Sequence, residues 1–552
     1  MERLFDTHSI RVSRELPPMW TLTTLDEGGL SAPERVLVPG VWESVPRLKS
    51  YHGRALYEQQ IACEGNVRLW FGGVSFRAKV WLDSQLIVTH YGAYTGFGTV
   101  VRAVPRGVHT LRVEVDNRFG DDSALHVPND YYAYGGINRP VLIEKIHDCY
   151  ITSLHVTPLL RDGVWTAKAD VRVCNLAGTA ADYTLRLELA GQTAECPITL
   201  PPDDERSFSM EIRCPNARAW STEEPNLTSV RALLLSGDEP VDDLIDRFGF
   251  REVTVSGDRI LLNGAPIRLK GFNRHEDFND FGLSAPVEAM LRDLQLMRDI
   301  GANCVRTCHY PNDPRFLDLC DELGMLVWEE AHSRGLSEKQ MRHPAFMEQL
   351  HQCVREMQEQ HHNHPCIFIW GCLNECSDDT EYGAECFRKT FALLHELDAS
   401  RPMTAALLER GGGRVFDASD VVSINIYPRW YHNTPVSEAF ARKLREIDEH
   451  GGAGKPVIVS EIGAGAIYGY HDPLGEAKWS EERQCTALRE QIEQLLKNER
   501  CSGVFLWQFA DVRVDESWFS SRPRTFNNKG VVDEYRRPKL SYALVRELFH
   551  RM

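Results

Sequence analysis

No stretch of the 552-residue sequence approaches the about 18 consecutive apolar residues that a bilayer-spanning helix needs, which argues against membrane residence. The opening MERLFDTHSIRVSRELPP lacks an apolar leader core and a cleavage site, so the expectation is a cytoplasmic protein. The 15 cysteines contain no CxxC pair and are odd in number. Several, including Cys304, Cys366 and Cys372, lie inside apolar runs, where a reduced thiol behaves as a small hydrophobe. We read them as free core thiols rather than a disulfide framework. An excess of cations is also missing: 62 Lys and Arg stand against 79 Asp and Glu, a formal charge of -17. Nucleic acid or an anionic membrane would be repelled at long range, so any anionic substrate must be held by local cations.

What is present is an ordinary globular composition, 43% apolar and 26% charged. A chain this long exceeds one core and predicts several domains. Over residues 1–147 the pattern is short alternating strands, with Val67, Leu69 and Phe71 on one face and Leu111, Val113 and Val115 repeating the signal. An antiparallel sandwich fits. Residues 148–250 form a second all-β stretch, in which Leu185, Leu187 and Leu189 alternate with Arg186 and Glu188 at spacings that suit an immunoglobulin-like domain.

From residue 251 to 552 strands alternate with helices. Ser284 is positioned to cap a helix carrying Val287, Met290, Leu291, Leu294 and Met297, and Gly301 to end it. Buried-strand runs follow at Ala302 to Thr307, Met325 to Trp328, Ile367 to Trp370, Val421 to Asn425, Val457 to Val459 and Val504 to Trp507. Repeated βα units of this kind predict a (β/α)₈ TIM barrel, whose chemistry sits at the carboxyl ends of the strands.

Those ends carry Asn273, Arg274 and His275; His309 and Tyr310; Asn374 and Glu375; Asn425 and Tyr427; Glu461; and Trp507. Polar strand ends meeting only protein would cost stability, so a lined pocket explains them better. Two are carboxylates after apolar strands, Glu375 in IFIWGCLNE and Glu461 in PVIVSE. Glycoside hydrolysis uses such a pair, one acid to protonate the departing oxygen and one carboxylate to attack or to activate water. On position alone, each could equally be a solvated strand-end charge or half of an ion pair.

The segments VPGVWES at Val38, GGINRPV at Gly135, GFNRHED at Gly271, RTCHYPNDP at Arg306, NHPCIFIWGCLNE at Asn363 and VSEIGAG at Val459 occur in an order and at separations that resemble glycoside hydrolase family 2. The resemblance implies a jelly-roll β-sandwich, an immunoglobulin-like sandwich and a catalytic barrel. It further implies Glu375 as acid/base, Glu461 as nucleophile and retention of configuration. Asn374 would hold the sugar 2-hydroxyl, and Tyr427 would donate to the nucleophile. His275, His309 and Trp507 would line the sugar site.

Within the family the likeness is to β-glucuronidases. By that likeness NDYYAYGGINRP would place Asp130 toward the sugar hydroxyls, WQFADV carries Trp507, and RTFNNKGVVDEYRRPK carries Asn527 and Lys529 in the N-x-K arrangement with which those enzymes grip a substrate carboxylate, Arg524 being an accessory; a surface loop with a solvated Lys529 is the alternative. Physically, a carboxylate suits a lysine charge beside an amide donor, whereas a neutral sugar leaves that lysine unpaired.

The stretch WEEAHSRG offers Ser333 and Arg334 where the family's β-galactosidases hold magnesium, so no metal and no cofactor are expected. Ile462 after the nucleophile and Arg334 in the pocket depart from the glucuronidase pattern, and Arg334 is placed to meet an axial 4-hydroxyl, as in a galacturonide. A bland pairing of Arg334 with Glu329 or Glu330 stands beside that reading. The sequence thus points to an exo-β-hexuronidase acting on a glucuronide or galacturonide, in a homo-oligomer. A neutral-sugar exo-glycosidase and an inactive carbohydrate-binding protein are the rival readings.

Overall fold

The computed structural model describes residues 3–408 and 412–551. The amino-terminal strands build an eight-stranded antiparallel sheet system in which Arg54–Phe71 is flanked by Phe97–Asp116 and Val141–Lys145. The predicted alternation is what buries its core: Val67, Leu69, Phe71, Leu111, Val113 and Val115 all point inward. A second sandwich packs a three-stranded sheet, Asp204–Cys214, Val164–Asn175 and Cys149–Arg161, against a four-stranded one containing Ala181–Leu189 and Thr228–Ser236. Leu185, Leu187 and Leu189 fill its interior with Val171 and Val173.

The strands of the large carboxyl-terminal sheet are all parallel, while short antiparallel pairs at residues 253–266 and 512–527 lie outside it. Leu269–Arg274 pairs on one side with Cys304–Thr307 and on the other with Cys501–Leu506. Leu326–Glu330 and Ile367–Gly371 follow in one direction, Val457–Ile462 and Val422–Asn425 in the other. The circle closes through a strand the sequence reading omitted. Met403–Thr404 pairs with Ile367–Gly371, and Ala406–Leu408, one residue later, pairs with Val422–Asn425. Only the break at Ala405 divides this short fifth strand, so eight strand positions form the barrel. Its strands are buried on both faces, as their continuous apolar runs require.

The helix Val287–Ile300 buries Met290, Leu294, Met297 and Ile300 and ends at Gly301 with φ 91°. Its start differs from expectation. Pro286 occupies the cap position, suited by its fixed φ of -68°, and the Ser284 hydroxyl donates instead to the Asn138 carbonyl at 2.9 Å. Arg3 ties the first residues to the rest of the chain, reaching Asp246 of the second sandwich at 2.8 Å and Asp318 of the barrel at 2.7 Å. All 15 cysteines are free.

Candidate active site

Glu375 is held by unusual backbone. Leu373 and Glu375 have φ of 54° and 51°, a region that costs a non-glycine residue about 1–3 kcal/mol. Two hydrogen bonds anchor the turn: the Glu375 amide donates to the Ala406 carbonyl at 2.8 Å, and the Leu373 amide donates to the Ser333 hydroxyl at 3.1 Å. The turn therefore swings the carboxylate over the mouth of the barrel.

Beneath it, Arg306 organises the floor. Its fully buried guanidinium donates to both Glu330 oxygens at 2.9 Å, to Asn273 Oδ1 at 2.8 Å, to Asn374 Oδ1 at 2.7 Å and to Glu461 Oε1 at 3.0 Å. A planar five-donor fork suits such convergence. With its oxygen turned to Arg306 and Asn425, Asn374 leaves Nδ2 buried and without a partner. An orphaned buried donor at the end of a barrel strand is what a substrate hydroxyl would satisfy.

Glu461 receives a second donor from Tyr427, whose hydroxyl lies 2.5 Å from Oε2. Burial and the neighbouring Glu375 push the Glu461 carboxyl up to about 7, while Arg306 and Tyr427 pull it back. Glu375 accepts from Asn425 Nδ2 at 3.0 Å and lies 3.4 Å from Arg334 Nη2. Two carboxylates thus share one buried pocket, each with its own donors.

The pocket wall is aromatic. His309 stacks on Trp507 with centroids 5.0 Å apart and planes 16° off parallel, and His275 meets the same indole edge-on at 5.4 Å. His309 Nδ1 faces Glu330 at 3.0 Å, and His275 Nδ1 faces the Tyr310 hydroxyl at 3.2 Å. Burial first, then nearby arginines, lower both imidazoles, His275 to about 3. One ring nitrogen of each histidine and Sγ of Cys308 lie within 4.8 Å of one another, a set of metal-ligating type.

The opposite rim gathers the residues expected to choose the sugar, with rearrangements. Lys529 is buried and its ammonium donates to the Tyr431 hydroxyl at 2.8 Å. Among the described residues no carboxylate lies within 4.0 Å of it. Asn527 donates its amide to Asp130 Oδ2 at 3.0 Å and leaves Oδ1 buried and unpartnered. Asp130 is paired with Arg522, whose Nε lies 2.7 Å from Oδ1.

Arg524, expected as the accessory cation, turns to Glu534 at 3.1 Å and Asn528 at 2.8 Å, because its backbone φ of 64° directs it away. Arg522, which nothing in SSRPRTF distinguished, takes the position beside Asp130. Tyr431 and Asn129 likewise carry no distinguishing signal in the sequence.

Arg334 pairs with neither Glu329 nor Glu330. Glu330 is occupied by Arg306 and His309, and Glu329 by His361. Arg334 instead bonds Asn129 Oδ1 at 2.7 Å, approaches Glu375, and keeps its buried Nε unpartnered.

Paired carboxylates at the strand ends of a parallel barrel, under an aromatic wall and behind two sandwiches, define a glycoside hydrolase. The family model for the TIM barrel domain of glycosyl hydrolases family 2 matches residues 253–552, and a second model of the same family matches residues 149–251. The chain belongs to glycosyl hydrolases family 2. It is similar to the crystal structure of a family 2 β-galacturonidase from Eisenbergiella tayi bound to galacturonate, at 48% identity and a TM-score of 0.98, covering 100% of this chain and 99% of that one. It is 26% identical to β-glucuronidase of Sus scrofa over 92% of this chain and 82% of that protein. A putative β-glucuronidase of Formosa agariphila is also 26% identical, over 93% of this chain, which spans 66% of that protein's length.

Proposed function

We propose that the protein is a retaining exo-β-hexuronidase that removes a terminal β-linked uronic acid, with galacturonides as its preferred epimer. One observation carries the uronide reading: Lys529, buried at the pocket rim with a tyrosine hydroxyl for company and no carboxylate within salt-bridge distance among the described residues. A buried ammonium is costly unless an anion completes it, and a substrate carboxylate is the anion that a uronide supplies. The likeness to a β-galacturonidase at 48% identity supports the epimer.

In this reading Glu375 protonates the glycosidic oxygen as the bond to the aglycone breaks. Glu461 attacks the anomeric carbon, Arg306 and Tyr427 having aligned it and favoured its charge. The free Nδ2 of Asn374 donates to the 2-hydroxyl, a contact that strengthens as the ring becomes oxocarbenium-like. Water deprotonated by Glu375 then attacks the glycosyl-enzyme, and the second inversion restores the starting configuration. His275, His309 and Trp507 bound the sugar, and Asp130, held by Arg522, orients its hydroxyls. The free thiols support a reducing, cytoplasmic setting.

A rate comparison across aryl β-galacturonide, β-glucuronide, β-galactoside and β-glucoside tests the proposal. Fast turnover of the two uronides, galacturonide first, is expected. Comparable rates on the neutral sugars would refute the substrate class, and ¹H NMR of the first-formed sugar anomer tests retention.

A further inference from the structure

We propose that His275, Cys308 and His309 form a reversible inhibitory site for Zn²⁺ on the wall of the sugar pocket. The donors are two imidazoles and one thiol, a set that selects borderline and soft divalent ions over magnesium or calcium, which take oxygen. Zinc bonds nitrogen at about 2.0 Å and sulfur at about 2.3 Å, which places tetrahedral donors roughly 3.5 Å apart. The three donor atoms already lie within 4.8 Å of one another, so closing on an ion requires side-chain adjustments of about 1 Å.

Independent features of the site point the same way. His275 Nε2 is buried and has no hydrogen-bond partner, while its other ring nitrogen faces the Tyr310 hydroxyl. His309 Nδ1 faces the Glu330 carboxylate at 3.0 Å, the outer-shell arrangement that orients metal-bound imidazoles. The cluster formed by Asp321, His364 and Cys366 also leaves a buried ring nitrogen, His364 Nε2, without a partner, but its other donors are already engaged. There Asp321 already bonds His364 at 2.5 Å and the Cys366 amide at 2.9 Å, and the Cys366 thiol points to the Leu317 carbonyl.

Three protein ligands leave a fourth position open toward the sugar site, because both imidazoles stand against Trp507. Binding transfers the Cys308 thiol proton to solvent, and the thiolate becomes the ligand. The bound ion would fill space that the substrate needs, so inhibition competes with uronide. Arg306, whose Nη2 lies 3.4 Å from His309 Nδ1, repels the ion, and Glu330 and Glu461 attract it. That opposition keeps the affinity moderate and the inhibition reversible.

The inhibition readout rests on the hexuronidase reading, whereas metal binding does not. The full chain is titrated with Co²⁺ in place of Zn²⁺, following the thiolate-to-metal charge-transfer band in the near ultraviolet. A band saturating at one ion per chain is expected. Galacturonate should suppress it, and both Cys308→Ser and His275→Gln should abolish it. In parallel, Zn²⁺ should inhibit aryl galacturonide hydrolysis and EDTA should reverse it. The concentration for half-inhibition should rise about tenfold or more in Cys308→Ser, each variant being compared with its own metal-free rate. Absence of the band in the wild type, its persistence in Cys308→Ser, or equal zinc sensitivity of the two proteins would overturn the proposal. If neither uronide turns over, the band and its loss in the variants still decide the metal site, and the failure falls on the substrate reading alone.

Discussion

Arg306 and Glu461 meet at 3.0 Å inside the barrel, and the same guanidinium reaches Asn374 at 2.7 Å, so one side chain sets both the attacking carboxylate and the amide meant for the sugar. Arg306→Lys keeps the charge and loses the fork. A single ammonium cannot satisfy Glu330, Glu461, Asn273 and Asn374 together. kcat/KM should fall by a factor equivalent to about 3 kcal/mol, with kcat carrying most of the loss. Steady-state kinetics alongside a melting curve checks this, and a loss confined to KM would show that Arg306 does not align the nucleophile.

The two carboxylates should fail differently. Glu461→Ala removes the attacking atom and should abolish turnover of every substrate. Glu375→Ala should spare aryl glycosides whose leaving groups need no proton, and azide should restore rate with retained configuration in the glycosyl azide. Equal losses for good and poor leaving groups would exchange or dissolve these roles.

Recognition of the carboxylate should be separable from catalysis. Lys529→Ala should cost about 2–4 kcal/mol in kcat/KM for a uronide and little for the matching neutral glycoside. Asn527→Ala should act partly through Asp130, to which its amide donates, and so should weaken both substrate types. Equal proportional losses in Lys529→Ala would make the N-x-K segment structural.

Much of this arrangement was legible because the residues that carry it end buried strands. Glu375, Glu461, Asn374 and Tyr427 were marked by polar chemistry interrupting apolar runs, a local signal that survives without coordinates. The fifth barrel strand was not, since Met403–Leu408 is short, carries Thr404 near its start, lacks β-branched or aromatic apolar residues and is broken at Ala405. Arg306 was visible only within a motif. Its role as a hub depends on four partners brought together by separate strands, and no sequence spacing encodes that. The exchange of Arg524 for Arg522 has a similar origin. Both sit in one irregular loop, where side-chain direction follows from individual φ values rather than from periodicity.

Activity should depend on pH through the carboxylate pair. Glu461 is pushed up to about 7 from 4.5, chiefly by burial and next by Glu375. Attack needs the anion, so kcat/KM should rise as pH climbs toward about 7. Tyr427→Phe removes a donor that favours the anion and should move this limb to higher pH. Stability runs the other way. The folded carboxyl holds its proton more tightly than the unfolded one, so the favourable contribution is complete at low pH and is lost as pH rises through about 7. Glu461→Gln cannot ionise, and its melting temperature should gain on the wild type between about pH 5 and pH 8. A constant difference across that range would show that the shift is absent.

The last prediction concerns the epimer. Galacturonate differs from glucuronate in the orientation of the 4-hydroxyl, so selectivity requires a group that one orientation satisfies and the other leaves unpaired. Arg334 has such a group, because its buried Nε has no partner while its two terminal nitrogens engage Asn129 and Glu375. Arg334→Ala should therefore lower the galacturonide rate more than the glucuronide rate. Because the side chain also approaches Glu375, some loss common to both substrates is expected on top of the selective one. Asn129→Ala separates the two effects: it frees Nη1 without removing the charge beside Glu375, so it should disturb epimer selectivity more than the common rate. Rates for both aryl uronides in the two variants measure this directly. If Arg334→Ala lowers both rates in the same ratio, Arg334 serves the acid/base alone, and the choice of epimer must lie with the neighbouring Asp130 and Arg522.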